Sequence, residues 1–129
     1  LTLDIAKAYP EEAHVKTWQR SITLNRGKNV EISEKYQLKK FIEPFTLNFL
    51  TPLIPVVEKA GKIKLQNMEK PDVSAYLLYN AKLFTPSIEK IEITDGRMSR
   101  SWGNALQRVV LKSKEKALHG QFKITIVKK

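Results

Sequence analysis

From Lys16 to Leu24, and again from Val30 to Leu38, the chain alternates, and Asn25-Arg26-Gly27-Lys28 joins the two runs. Lys16, Trp18, Arg20, Ile22 and Leu24 share one parity of the first run, with Thr17, Gln19, Ser21 and Thr23 between them. Val30, Ile32, Glu34, Tyr36 and Leu38 share one parity of the second, interleaved with Glu31, Ser33, Lys35 and Gln37. A period of two on both sides of a short turn is the pattern of a half-buried β-hairpin. Gly27 can take the positive φ that closes such a turn. Arg20 lies on the same face as Trp18 and Ile22. A guanidinium there needs a carboxylate or aromatic partner, or else its strand end must reach water. Trp18 and Arg20 therefore read mainly as part of an inner face.

Further strands are expected at 45–50 (FTLNFL), 62–67 (KIKLQN), 73–79 (VSAYLLY), 88–94 (IEKIEIT) and 122–127 (FKITIV). The run 73–79 is apolar on both faces, as a central strand would be. Short strands separated by Pro and Gly turns point to an all-β chain, an antiparallel β-sandwich. Segment 101–118 (SWGNALQRVVLKSKEKAL) is ambiguous. Trp102, Leu106, Val109 and Val110 stand at helical spacing, whereas Gly103, Asn104 and the β-branched valines favour a turn and a strand.

A length of 129 residues suits one domain, 1–129, with a core large enough to fold without disulfides or metal. There is no Cys, so no disulfide framework, Cys-ligated zinc or thiol nucleophile. No apolar run is long enough to cross a membrane as a helix, and no signal peptide is visible. The chain starts at Leu1 and runs straight into LTLDIAKAYPEEA, which suggests the C-terminal piece of something longer. Its net charge of +10 is uneven. Residues 1–95 carry 14 Lys or Arg against 12 Asp or Glu; residues 96–129 carry nine against Glu115 alone. Such asymmetry fits a polyanionic partner as well as it fits a solvated basic face.

Chemistry is scarce. His14 and His119 have no metal-ligand spacing, and neither a metal nor a cofactor is expected. Glu11 and Glu12 are adjacent, so in an extended segment they point apart and cannot flank one bond. No P-loop, GxGxxG, GxSxG or HExxH occurs. A nucleic-acid-binding sheet would show aromatics on an open basic face, and Trp18 reads instead as core.

Three motifs carry a family resemblance: the AYPEEA opening, the W-x-R-x-I-x-L-x-R-G hairpin at residues 18–27, and D-x-R-x-x-x-x-W-G at residues 95–103. With TLNFLTP between them, the chain resembles the C-terminal part of heparinase II/III-family polysaccharide lyases of Bacteroidetes-type bacteria. That resemblance implies an antiparallel sandwich following a large helical toroid, in an enzyme that is secreted or periplasmic. Such enzymes cleave acidic, uronate-containing polysaccharides by β-elimination. Their catalytic Tyr and His lie in the toroid and the adjoining sandwich. None of Tyr9, Tyr36, Tyr76, Tyr79, His14 or His119 stands in a copy of those motifs, so this piece is expected to be inactive alone. The resemblance also favours a turn at Trp102-Gly103 and a strand over 105–113.

The expected role is therefore an accessory domain that braces the catalytic domains upstream in the same chain and holds anionic glycan. The candidate contacts are Arg97, Arg100, Arg108, Lys112, Lys114 and Lys116, then Arg26 and Lys28 at the hairpin tip. Arginine suits sulfate and carboxylate because its planar fork donates two hydrogen bonds at once. The rivals are a purely structural module, marked by an exposed apolar patch where other domains docked, and a free-standing nucleic-acid binder, marked by an exposed Trp18 or Trp102.

Overall fold

Trp18 faces Tyr36, Arg20 faces Glu34, Ile22 faces Ile32 and Leu24 faces Val30 across the hairpin anticipated from the alternation. The computed structural model describes residues 1–129. In chain order it contains β1 (Thr2–Asp4), two single 3₁₀ turns (Ala6–Ala8 and Glu11–Ala13), β2 (Val15–Asn25), β3 (Asn29–Leu38), β4 (Thr46–Thr51) and β5 (Ile54–Lys59). It continues with β6 (Lys62–Gln66), β7 (Ser74–Leu78), β8 (Phe84–Glu92), α1 (Gly96–Trp102), β9 (Ala105–Ser113) and β10 (His119–Lys128). Gly27 closes the β2–β3 turn at φ 73°, and the Lys28 N–H donates to the Asn25 carbonyl.

Two antiparallel sheets result: seven strands in the order β1-β2-β3-β10-β7-β6-β5, and three in the order β4-β9-β8. This is the all-β, sandwich-like architecture the turn spacing implied. The inner residues of the large sheet include Trp18, Tyr36, Ile124, Leu77 and Ile63; Leu47, Phe84, Val109 and Leu111 of the small sheet complete the same buried cluster. Trp18 stacks on Tyr36 at 4.9 Å, and Phe45 meets both rings edge-on at 5.1 Å. Tryptophan carries a donor that must be satisfied when its ring is buried. Here the indole Nε1–H donates to Glu34 Oε2 at 2.6 Å, while the Arg20 guanidinium pairs with Glu34 Oε1. Trp18 is 3% exposed and Glu34 2%. The hairpin's Trp and Arg thus belong to the packed face.

The contested segment forms β9 over the predicted 105–113. Helix does not run through it, because Gly103 leaves α1 at φ 81° and the valines that follow pair into the small sheet. Other boundaries differ from expectation. The strand anticipated at 88–94 begins earlier, at Phe84, and includes Pro86; the unanticipated β5 includes Pro55. Both strands lie at sheet edges, where a missing N–H removes no ladder bond. β1 was also unanticipated: it is a three-residue edge strand paired with Gln19–Ser21.

Three strands cannot cover the inner face of seven. Burial runs from Trp18 and Tyr36 through Ile124 and Leu77 to Ile63 and Leu65. The corner made by Leu3, Ile22, Leu24 and Val30 remains open, with Leu24 67% exposed.

Replacing Glu34 by Ala strands the buried Trp18 N–H and unpairs Arg20, and should cost on the order of 3 kcal/mol, read as a lower urea midpoint at unchanged slope. Burial, followed by repulsion from Glu115, raises the Tyr36 phenol above its ordinary 10.0. The stability from its neutral form is complete below the unfolded value and lost as pH rises through the raised native one. Unfolding midpoints should therefore fall above about pH 10, with a smaller fall in Tyr36→Phe.

Candidate functional site

The basic residues singled out in the sequence lie at four separate places in the fold. Arg97 and Arg100 sit on α1, Arg108 and Lys112 on the outer face of β9, and Lys114 and Lys116 in the β9–β10 connection. β9 spans nine residues, which at roughly 3.3 Å per residue holds the arginines of α1 some 25–30 Å from Lys114. Arg26 and Lys28 project from the β2–β3 tip. A dense run of charge in sequence is therefore distributed along a strand in space.

Several of these cations already have partners. Arg108 pairs with Glu89 at 3.1 Å on the neighbouring strand, and Lys114 Nζ donates to the Ala81 carbonyl at 2.7 Å. Arg97 and Arg100 have neither an ion-pair nor a side-chain hydrogen-bond partner, nor do Lys112, Lys116, Arg26 and Lys28.

The surroundings of Arg97 and Arg100 distinguish them. α1 occupies the connection between β8 and β9, whose base is closed by the Glu92–Ala105 pair and by the Ile93 N–H donating to the Asn104 carbonyl. Asp95 caps the helix by accepting from the N–H groups of Arg97 at 2.8 Å and Met98 at 3.0 Å. Gly103 ends it, with its N–H on the Ser99 carbonyl. The helix is thus formed by its caps, because it buries no residue of its own. Met98 and Trp102 stand four apart on one side, and Trp102 is 52% exposed. Arg97 and Arg100 stand three apart on one side of this short helix, and Trp102 opens on the other, so α1 offers unpaired guanidiniums to an anion and an exposed indole to a ring on separate faces.

A second surface was not singled out from sequence. The polar alternates of the hairpin and of β10 line the outer face of the large sheet in register: Gln19, Lys35 and Gln121 form one row, and Ser21, Ser33 and Lys123 the next. They border an open depression of about 430 Å³. Lys123 lies 3.4 Å from Glu31 there, and farther along the sheet the Lys62 ammonium sits 3.9 Å over the Tyr76 ring. The signal for this surface was the polar half of the alternation, which reads equally as an ordinary wet sheet face.

No protein-family model matches the chain, and no curated protein matches it either.

His14 lies in the left-handed region at φ 51°, at the end of the second 3₁₀ turn, and His119 begins β10. Glu11 and Glu12 share that 3₁₀ turn. No group of three or more His, Cys, Asp or Glu capable of holding a metal is present, and no helix is long and apolar enough to cross a membrane.

The two tryptophans should separate by solvent access. Iodide should quench Trp102 strongly and Trp18 hardly at all, so Trp102→Phe should leave a blue-shifted, quench-resistant emission; equal quenching of both would contradict these exposures.

Proposed function

We propose that this sandwich is a non-catalytic accessory module of a secreted or periplasmic heparinase II/III-like lyase. In this reading it braces the catalytic domains of its own chain and holds the acidic polysaccharide on which they act. The observation that supports the glycan-holding role is the unsatisfied pair Arg97 and Arg100 on one side of α1, with Trp102 exposed on the other. A uronate or sulfated chain offers planar carboxylates or sulfates for the guanidinium forks and sugar rings for the indole. Lys112 and Lys116, and separately Arg26 and Lys28, would extend the positive field without making the first contacts.

Bracing is supported by the open apolar corner of the large sheet. Leu3, Ile22, Leu24 and Val30 are an inner-face surface that the small sheet does not reach, and isolated domains seldom present such a patch without a partner. The acid–base machinery of β-elimination is assigned to the upstream domains, so the module alone should release no unsaturated product.

The same exposed Trp102 favours one rival, single-stranded nucleic acid, whose bases stack on aromatics amid basic groups. Retention on immobilised heparin decides between them. The domain should be held at low salt, elute as salt rises, and resist competition by single-stranded DNA while yielding to uronate oligomers. The double variant Arg97→Glu, Arg100→Glu should elute at markedly lower salt than Arg26→Glu. The reverse order would move the site to the hairpin tip. Absence of retention by the folded domain would remove the polyanion reading, and preferential competition by DNA would favour the rival.

A further inference from the structure

The segment opening with AYPEEA forms one wall of a cleft of about 660 Å³ that neither α1 nor the outer sheet face shares. The opposite wall is the β3–β4 connection, with Ile42, Glu43 and Phe45, and the buried edge of Trp18 lies at the floor. Its size is that of an ordinary small-molecule site. Both walls are held in place. The second 3₁₀ turn is closed by bonds from the Ala13 N–H to the Pro10 carbonyl and from the His14 N–H to the Glu11 carbonyl, and the Lys39 N–H donates to the His14 carbonyl at 2.7 Å, tying one wall to the other. The left-handed His14 is the residue at which the first wall turns into β2. The cleft is therefore formed in advance of any occupant.

Its lining is mixed in a specific way. Tyr9 is 41% exposed, and its ring lies 6.0 Å from that of Trp18, offering an open aromatic face above a closed one. Around it, the carboxylates of Glu12 and Glu43 and the ammonium of Lys40 have no hydrogen-bond or ion-pair partner. An aliphatic ligand would satisfy the aromatic floor and leave these polar groups in contact with apolar surface, at a cost. A uronate or sulfated sugar would set its charge against two carboxylates, with Lys40 the single cation in the lining to offset them. A neutral pyranose meets both demands, because one face of its ring is C–H and its rim is hydroxyls, each able to donate to a carboxylate oxygen.

We propose that this cleft is a binding site for a neutral sugar unit, a hexose or N-acetylhexosamine, stacked on Tyr9 with its hydroxyls donating to Glu12 and Glu43. The preference is opposite in charge to that of α1, and the site stands independently of the polyanion reading. In a glycan that alternates acidic and neutral sugars, the two surfaces would take different residues of the repeat.

The test uses Trp102→Phe, which leaves Trp18 as the single tryptophan and places the reporter beside the cleft. Methyl β-glucopyranoside and N-acetylglucosamine are titrated against its emission, with saturation-transfer NMR of the sugar protons in parallel and glucuronate as the charged counter-probe. Saturable binding of a neutral sugar is expected with a Kd on the order of 1 mM, and binding of glucuronate about tenfold weaker or more. Tyr9→Ala, at an exposed position, should raise Kd at least about tenfold, and Glu12→Gln should narrow the gap between neutral sugar and glucuronate. Either of two results overturns the proposal: no emission change and no saturation transfer with both neutral sugars, or binding that is indifferent to Tyr9→Ala. Glucuronate binding as well as the neutral sugars would overturn the assigned charge preference. Heparin retention, measured on the protein with Trp102 in place, tells failure of this site from failure of the α1 reading.

Discussion

Burying Trp18 is the constraint around which the rest is arranged. An indole ring at the meeting of the two sheets contributes a large apolar surface, but its N–H must be answered inside the protein. Glu34 answers it from the neighbouring strand, and a carboxylate buried for that purpose needs a countercharge of its own. Arg20 supplies the charge from two residues along the same strand as the indole. Stacking with Tyr36 and the edge-on Phe45 then fixes the ring plane, so one side chain orders parts of β2, β3 and the connection into β4. The cost of a buried charge is offset only because all three groups share one face of one hairpin, in register.

The unequal sheets explain where the remaining surfaces lie. A seven-stranded sheet faced by three strands has an inner corner left uncovered and an outer face that no second layer covers. The connection between β8 and β9, at the end of the small sheet, is free to carry a capped helix that buries nothing. The cleft beside Tyr9 arises for a related reason. The chain before β2 and the chain between β3 and β4 both pass the Trp18 end of the sandwich, and neither fills the space between them.

Much of this architecture was legible in the residues. The β2–β3 hairpin and the strands near 45–50, 62–67, 73–79 and 122–127 follow from apolar patterning and turn residues, which act locally, whereas patterning alone left 105–113 open between helix and strand. β5 was obscured because Pro55 argues against a strand until one knows that the strand is an edge, and pairing order is not a local property. The same holds for Pro86 in β8. The functional candidates were legible by type and not by place. Arg97 and Arg100 were singled out by charge, but their separation from Lys114, and their place on a short capped helix, depend on where β9 begins and ends. The polar outer row of Gln19, Lys35 and Gln121 belongs to three strands whose adjacency is set by β10, a partner more than eighty residues away from β3.

That distant partner has a consequence for how the domain comes into being. His119–Lys128 lies between β3 and β7, at the middle of the large sheet, although it follows every other strand of the two sheets in sequence. Until it emerges, β1-β2-β3 and β7-β6-β5 are two half-sheets, each with an unpaired edge. The large sheet can therefore close only once β10 has been made, and that step must bring remote parts of the chain together. During that interval the open edges of β3 and β7 are the places where a neighbouring nascent chain could insert a strand of its own.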